Sequence, residues 1–385
     1  MAATLSPGSM AILCSTDLAE YEVLEVLGHG SFGIVRLARH RETGRAVAIK
    51  ILDKDHIIEW KQETNIFREQ TVHLELDHPF ISRLHTTFQD AEAVYFILEF
   101  CPGGELYSLV YQEDVEEELP KDDEICPTES ESDDDDLRKP VRTEDVKTTS
   151  IADDVLYRQK TNAAAKRALK SSLGGIRESH AAFYLACISF ALEHLHEQDI
   201  LYRDLKLENV VIDINGYPKL IDFGLSKPEA AQRARNNTVC GSMEYMAPEV
   251  VQRDAYNFRA DMWSFGIIMY EMLFGTTPFY DANQREQSRR ICDAIVEFPN
   301  NAEEEYPLAC ALIRSLLSKS PTERPASFQE VRDSAYFKRY FPTTSSWKQL
   351  LSKQARAPFV PAISGDFDTS LFAKSEEAED ESYAM

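Results

Sequence analysis

Several features that mark common protein classes are absent from this 385-residue sequence. Its longest apolar run, residues 181–195, is interrupted by Glu193 and His194 and is shorter than the roughly 20 residues of a membrane-spanning helix. Its seven cysteines form no Cys-x-x-Cys pair, which argues against a disulfide framework and a zinc site. It shows neither a secretory signal nor a myristoylation signal. These absences predict a soluble intracellular protein, cytoplasmic or nuclear, with no membrane span.

Positive charge is also scarce. The chain has 41 Lys and Arg against 65 Asp and Glu, a formal net charge of −24, whereas nucleic-acid binding needs a basic face. Residues 113–154 alone hold 18 acidic and 5 basic side chains. Such a segment buries too little apolar area to offset the entropy of ordering it. We therefore predict an acidic, largely disordered insertion over residues 112–174, with a helical tendency over residues 153–173.

The hydrophobic pattern divides the rest of the chain into a β-rich part and a helical part. Residues 21–100 contain five short strands with turn residues between them and one principal helix near residues 62–76. Later, residues 178–197 carry a broad apolar stripe and residues 260–274 are almost uniformly apolar, as in a buried helix. The predicted fold is α+β, with a small antiparallel-sheet lobe followed by a larger, mainly helical lobe.

A glycine-rich turn, Gly-His-Gly-Ser-Phe-Gly at residues 28–33, follows the first predicted strand. Alone, a G-x-G-x-x-G pattern fits a dinucleotide-binding fold equally well. A dinucleotide fold would open a helix at the last glycine, whereas residues 34–37 continue as a strand with β-branched residues. This favours a glycine hairpin over phosphates, because glycine lets the backbone approach phosphate oxygens closely.

Two further motifs suit phosphoryl transfer. Residues 47–50 read Val-Ala-Ile-Lys and place Lys50 seventeen residues after the last glycine, although a surface lysine at a strand end is the plain alternative. Residues 202–209 read Tyr-Arg-Asp-Leu-Lys-Leu-Glu-Asn, and Asp-Phe-Gly begins eighteen residues after Asp204. These spacings match the catalytic-loop and metal-loop pair of protein kinases.

The motifs together resemble those of eukaryotic protein kinases, and specifically the AGC class, which includes the cyclic-nucleotide-dependent kinases. The resemblance covers roughly residues 21–111 and 175–372. The class-level similarity lies in Tyr-Arg-Asp at residues 202–204, in residues 240–249, and in tail segments 357–361 and 368–372. It implies an N-terminal extension over 1–20, a small lobe over 21–100, a large lobe over 101–337 and a C-terminal tail over 338–385.

The resemblance implies a serine/threonine protein kinase that uses ATP and Mg²⁺ and acts on a protein or peptide substrate. Asp204 would orient the substrate hydroxyl and take its proton. Lys206 would stabilise the transferred phosphoryl group, as in serine/threonine kinases. Asn209 and Asp222 would hold Mg²⁺, which prefers oxygen ligands.

Lys50 would contact the α- and β-phosphates, with a helix carboxylate as its ion partner. We assign that role to Glu69, with Glu63 as the competitor. The remaining ATP contacts implied by the resemblance are Gly28, Gly30, Ser31, Phe32, Gly33, Val35, Ala48, Glu99, Cys101, Leu106 and Val211. The four aliphatic residues in this set, Val35, Ala48, Leu106 and Val211, could equally be ordinary core residues. The resemblance also implies that Phe372 of the tail closes over the adenine.

Three glutamates match acidic positions at which AGC kinases hold basic residues upstream of the acceptor: Glu105, Glu208 and Glu271. Each one alone could equally be a solvated surface residue. Together they favour a substrate with basic residues upstream of the acceptor.

Thr238 stands where the class carries an activating phosphothreonine, which an upstream kinase would supply. Arg203 and Lys227 are the candidate partners of the phosphate. A plain loop threonine is the alternative. Glu249 is expected to form a buried ion pair with Arg324 that anchors the end of the segment between Asp222 and Glu249.

Several alternatives stay open from sequence alone. The chain could be a nucleotide-binding scaffold without turnover, or a kinase of small molecules, which Ala-Pro-Glu at residues 247–249 argues against. The acidic insertion could be a spacer or a docking or autoinhibitory element. His73 stands where the family has an aliphatic residue packed on Phe223, and we interpret it as a core histidine satisfied by a neighbour rather than a pH sensor.

Overall fold

A computed structural model describes residues 16–30, 33–111, 151–228 and 242–372 of the chain. The strands are β1 (Tyr21–Gly30), β2 (Gly33–His40), β3 (Ala46–Asp53), β4 (Leu84–Gln89), β5 (Ala93–Glu99), β6 (Ile200–Leu201), β7 (Val210–Ile212), β8 (Pro218–Leu220) and β9 (Lys227–Pro228). The helices of the first half are α1 (Lys54–Glu59), α2 (Glu63–Glu75), α3 (Tyr107–Val110), α4 (Ile151–Leu169) and α5 (Glu178–Glu197). Those of the second half are α6 (Pro248–Val251), α7 (Arg259–Phe274), α8 (Gln284–Asp293), α9 (Ala302–Glu305), α10 (Pro307–Leu316), α11 (Phe328–Arg332), α12 (Ala335–Tyr340) and α13 (Thr344–Leu351).

Strands β1 to β5 form one antiparallel sheet in the order β1-β2-β3-β5-β4. Successive side chains of a strand point to opposite faces, so β3 turns Val47 and Ile49 into a small core with Tyr95 and Ile97 of β5. Lys50 therefore lies on the opposite face of the sheet. The predicted five-stranded lobe and its principal helix are confirmed.

The helical lobe is built around α7, in which every residue after Arg259 is buried. This helix ends at Gly275, whose φ of 69° lies in the left-handed region that glycine adopts without strain. Helix α5 packs against α7 within the same large apolar core. The predicted α+β, two-lobed architecture is thus confirmed.

No helix among the described residues has the length and apolarity that crossing a membrane would require.

Residues 151–174 correct the predicted extent of the insertion. The predicted helical tendency is present as α4, but the segment is not a loose one, because Leu169 is only 2% exposed and Ala165 packs against the large core. Beyond the helix, a Cβ atom on Gly175 would lie 2.2 Å from the Met272 carbonyl oxygen, so the chain runs tightly against α7. The remainder of the insertion, residues 112–150, lies outside the described residues.

The predicted boundary between large lobe and tail, at residue 337, stays a prediction. It falls inside α12, and both Phe337 and Leu350 of α13 are fully buried in the core of the helical lobe. Trp347 of α13 adds an edge-to-face contact with Phe190 at 5.6 Å between ring centroids. Apolar side chains on both sides of this boundary therefore pack in the core of the helical lobe.

Candidate active site

The predicted glycine hairpin is formed by β1 and β2, with Gly28 paired to Val35 and Gly30 paired to Gly33. Gly33 has to be glycine, because a Cβ atom there would lie 1.8 Å from the Ile51 carbonyl oxygen of β3. At Gly28 a Cβ atom would meet nothing within 4 Å, so steric crowding does not explain this glycine. Ser31 and Phe32, at the tip of the hairpin, lie outside the described residues.

Lys50 lies between two carboxylates that come from different parts of the fold. Its Nζ is 2.7 Å from Glu69 Oε1 on α2 and 3.4 Å from Asp222 Oδ1. The predicted pair with Glu69, rather than with Glu63, is therefore present. Burial alone would lower the pKa of Lys50, but Asp222 and Glu69 outweigh it and raise that pKa. The same lysine lowers the pKa of Asp222, so both groups are held in their charged forms.

Asp204 lies in a network with both of its predicted neighbours. The Asn209 side-chain nitrogen donates to the Asp204 carboxylate at 2.7 Å and to its main-chain carbonyl at 2.8 Å. Lys206 Nζ is 3.6 Å from the same carboxylate. Burial raises the pKa of Asp204, while Lys206 and Asn209 oppose that rise. Because Asn209 uses its amide nitrogen here, its amide oxygen remains as a potential ligand atom.

The catalytic loop is held by Asp261, a residue that the sequence reasoning did not identify. Its carboxylate is fully buried and accepts hydrogen bonds from the backbone N–H of Tyr202 at 3.0 Å and of Arg203 at 2.9 Å. It also lies 2.8 Å from His196 Nε2. The available signal was an acidic residue, Asp261, at the start of a helix predicted to be buried, because a buried carboxylate requires partners of this kind.

Phe223, which follows Asp222, is fully buried and packs against α2. Its ring centroid lies 4.4 Å from that of His73 and 5.5 Å from that of Tyr202. The Nε2 of His73 makes a 2.6 Å hydrogen bond with the Ser82 carbonyl, and burial lowers the pKa of His73 to about 4. The interpretation of His73 as a satisfied core histidine is confirmed, and the ring is neutral at physiological pH.

The predicted adenine contacts come from both lobes. Ala48 of β3 and Val35 of β2 belong to the sheet, while Leu106 and Val211 are buried in the helical lobe. The backbone holds these two close together, because Leu106 N–H donates at 2.7 Å to the carbonyl of Val210, the neighbour of Val211. Their role as adenine contacts stays a prediction.

The connection between the lobes starts at Glu99 and continues through the buried Cys101. The Glu99 side chain does not serve as a free nucleotide ligand, because its carboxylate accepts from Lys219 at 2.8 Å and from the Arg83 backbone N–H at 3.2 Å. Lys219 is itself buried and belongs to β8 of the other lobe. Any contact of Glu99 with a nucleotide therefore falls to its backbone.

An acidic cavity of about 380 Å³ opens beside the catalytic loop. Three carboxylates, Glu208, Glu244 and Glu271, contribute to its lining. Four tyrosines also line it: Tyr107, Tyr111, Tyr245 and Tyr280. Two of the three glutamates predicted to hold basic residues therefore share one cavity.

Glu271 is the most buried carboxylate of this cavity, with 2% of its surface exposed. It accepts hydrogen bonds from the hydroxyls of Tyr111 at 2.8 Å and Tyr245 at 3.0 Å. Burial raises the pKa of Glu271 to about 7, against the effect of these hydroxyls. The surface alternative is therefore wrong for Glu271. Burial, followed by the charge of Glu208, also raises the pKa of Glu105.

The segment after Asp222 is described only at its two ends, and Thr238 lies outside the described residues. At the first end, the Arg203 guanidinium donates to the Leu225 carbonyl and, at 3.0 Å, to the Tyr256 hydroxyl. Lys227 pairs with Leu201 across the β6–β9 ladder. The role of Arg203 and Lys227 as phosphate partners stays a prediction.

The second end of the segment is anchored as predicted. Arg324 donates two hydrogen bonds to the Glu249 carboxylate, at 2.7 and 2.8 Å. The Arg324 side chain is fully buried and that of Glu249 is 7% exposed. This two-point geometry fixes the start of α6 against the helical lobe.

Comparison with known proteins identifies relatives over most of the chain. The protein kinase domain family matches residues 21–123 and 155–337. The chain is 33% identical to cAMP-dependent protein kinase type 3 of Saccharomyces cerevisiae over 94% of this chain and 75% of that protein. It is 32% identical to serine/threonine-protein kinase sgk-1 of Caenorhabditis elegans, over 92% and 63%. It is also 32% identical to serine/threonine-protein kinase gad8 of Schizosaccharomyces pombe, over 91% and 50%. The chain thus spans half to three quarters of the length of these relatives.

Proposed function

The chain belongs to the protein kinase family, and we propose that it transfers the γ-phosphoryl group of ATP, with Mg²⁺, to serine or threonine hydroxyls of proteins. The observation that carries this proposal is the contact of Lys50 with both Glu69 and Asp222. These three residues come from β3, α2 and the loop after β8, so they meet only when the two lobes are arranged together. The contact between these three side chains supports the proposal that the site is arranged to bind a nucleotide.

The donor set suits Mg²⁺. Asp222 supplies a carboxylate whose side chain is about half exposed (47%), and Asn209 would supply its amide oxygen, since it is the amide nitrogen that bonds to Asp204. Both are hard oxygen ligands, as Mg²⁺ prefers. When bound, the metal would neutralise the developing charge on the phosphate oxygens.

The protein's own residues account for the remaining steps. Lys50 would bind phosphate oxygens of the nucleotide, since the raised pKa keeps it cationic. Asp204 would orient the acceptor hydroxyl and accept its proton, and Lys206 would stand beside the transferred group. Because little covalent chemistry falls to the protein in this reaction, alignment and electrostatic stabilisation are its main contributions.

A peptide array tests the proposal. We expect full-length protein with Mg-ATP to phosphorylate serine and threonine peptides, and to lose this activity when the metal is chelated. Three carboxylates near the acceptor site, Glu105, Glu208 and Glu271, favour peptides with basic residues upstream of the acceptor. A preference for acidic or proline-containing peptides would refute the proposed preference for basic residues. Phosphorylation of tyrosine alone would refute the proposal that the acceptors are serine and threonine.

The pH dependence of substrate binding follows from Glu271. Its pKa of about 7 lies above the ordinary carboxyl value, so the group is mostly neutral at lower pH and charged at higher pH. We expect the KM for a peptide with upstream arginines to fall by up to about tenfold between about pH 6 and pH 8, as the carboxylate forms. Glu271→Gln should abolish this pH dependence, as should a peptide with alanines in place of the arginines. An equal pH dependence in the variant would contradict the assignment.

We further propose that an upstream kinase activates the protein at Thr238. A phosphate there would add about −1.5 to −2 charges and new charge-assisted hydrogen bonds. Thr238→Ala is therefore expected to lower activity by about tenfold, whereas Asn237→Ala should not. Kinase assays measure the activity of each preparation, and mass spectrometry of the same preparations shows whether Thr238 is phosphorylated. Full activity of the normally expressed Thr238→Ala protein would rule the proposal out.

A further inference from the structure

Helix α4 is tied to the segment that follows the lobe connection. Lys166 Nζ donates to Ser108 Oγ at 3.0 Å, and Lys170, which directly follows the helix, donates to the Val110 carbonyl. Leu169 anchors the end of the helix in the large core. The second half of α4 therefore has a defined position next to α3.

From that position, Asn162 of α4 holds the C-terminal tail. Its side-chain nitrogen donates to the Ala362 carbonyl at 2.9 Å, and its side-chain oxygen accepts from the Ala362 N–H at 2.8 Å. Asn162 is 3% exposed. Both polar groups of one tail residue are thus paired with a single buried amide, which fixes the chain direction at Ala362.

Ten residues later, the tail lies against the connection between the lobes. The rings of Phe372 and Phe100 stack with centroids 5.7 Å apart and planes 23° apart. A Cβ atom on Gly104 would lie 2.5 Å from the Leu371 carbonyl oxygen, so the tail and the connection are in close contact. The tail is therefore next to the segment, around Glu99 and Cys101, that the family resemblance assigns to ATP contact.

The chain between these two points is ordered by hydrogen bonds from Ser364 and Ser370 to the Asp368 carboxylate, and its contacts with β1 and β2 are exposed. Residues 364–366 are exposed. Thr369 donates to Glu25 of β1, and the Arg39 guanidinium lies 4.4 Å from the centroid of the Phe367 ring. Contacts of this exposed kind contribute little individually. The buried bonds at Ala362 are the firm attachment from which this stretch departs.

We propose that Asn162 is a positioning residue for the nucleotide site: by fixing Ala362, it directs residues 363–372 onto the connection between the lobes. The proposal rests on the proposed ATP-dependent function. Asn162 acts through the tail and not by contact with the nucleotide. Its loss therefore weakens nucleotide binding and leaves the chemical step unchanged.

The test measures the dissociation constant of Mg-ATP for the full-length protein, together with hydrogen exchange of the tail amides. Asn162→Ala is expected to raise the dissociation constant by about fivefold, to speed exchange in residues 363–372 and to leave kcat within about twofold. The matched control is Thr161→Ala, because that exposed hydroxyl donates to the Tyr157 carbonyl of its own helix. This control should match the wild type in both measurements.

Two further variants keep the test decisive. Asn162→Asp preserves size and replaces the bond to the Ala362 carbonyl by a repulsive oxygen pair, so it should weaken Mg-ATP binding even if the alanine variant folds poorly. Adding Asn162→Ala to Phe372→Ala should have little further effect, because both act through the same contact. Unchanged affinity in a folded Asn162 variant would overturn the proposal. Failure of the wild type to bind Mg-ATP would instead overturn the proposed function.

Discussion

Replacing Asp204 with alanine is expected to lower kcat by about 10²- to 10⁴-fold, the usual contribution of a general acid–base group. The affinity for Mg-ATP should change little. Asn209 would keep its 2.8 Å bond to the main-chain carbonyl of residue 204, which holds it in place as a metal ligand. Steady-state kinetics on a serine peptide and a separate nucleotide-binding measurement distinguish these two effects.

An exposed aspartate provides the control for this variant. Asp333 follows α11 at the surface, and Asp333→Ala should retain wild-type kcat. If Asp204→Ala kept more than about a tenth of the wild-type kcat, Asp204 would not be the catalytic base. If the affinity for Mg-ATP fell together with kcat, the loss of activity would come from a disturbed structure around the site and not from the loss of a catalytic base.

Removing the Glu249 carboxylate is expected to destabilise the protein by about 3–5 kcal/mol, because it leaves the buried Arg324 guanidinium without its partner. The two bonds between them are short, and Arg324 is fully buried. Thermal unfolding of Glu249→Ala should show a clearly lowered Tm. The cause is the uncompensated buried charge and not the attraction of the pair as such.

A surface pair on α8 provides the comparison. Arg289 and Glu286 form an exposed ion pair at 2.6 Å, so Glu286→Ala should leave the Tm almost unchanged. Equal effects of the two substitutions would contradict the role assigned to burial. Replacing both Glu249 and Arg324 by apolar residues should recover much of the lost stability, since no buried charge then remains.

The part of the site that was predictable from sequence is the part with fixed local spacing. Asp204, Lys206 and Asn209 lie within one short loop, so their contacts follow from their order in the chain. Lys50 on β3 and Glu69 on α2 are 19 residues apart, and choosing Glu69 over Glu63 required the resemblance to a known family. Their contact in the structure agrees with that choice.

What sequence reasoning missed depends on contacts between distant parts of the chain. Asp261 holds the catalytic loop from a helix more than fifty residues away, and no local spacing signals this. Acidic composition extended the predicted insertion too far, since the burial of Leu169 depends on the surface that the other helices provide. The aliphatic contacts of adenine stayed ambiguous for a similar reason, because core residues have the same composition.

The direct measurement of the central claim is transfer of the terminal phosphate of ATP to a serine peptide with upstream arginines, in the presence and absence of free Mg²⁺. We predict that the wild type phosphorylates the serine only when Mg²⁺ is present, at a rate at least a hundredfold above that of Asp204→Ala. Binding of Mg-ATP without transfer above the rate of that variant would contradict the account and identify the protein as a nucleotide-binding scaffold.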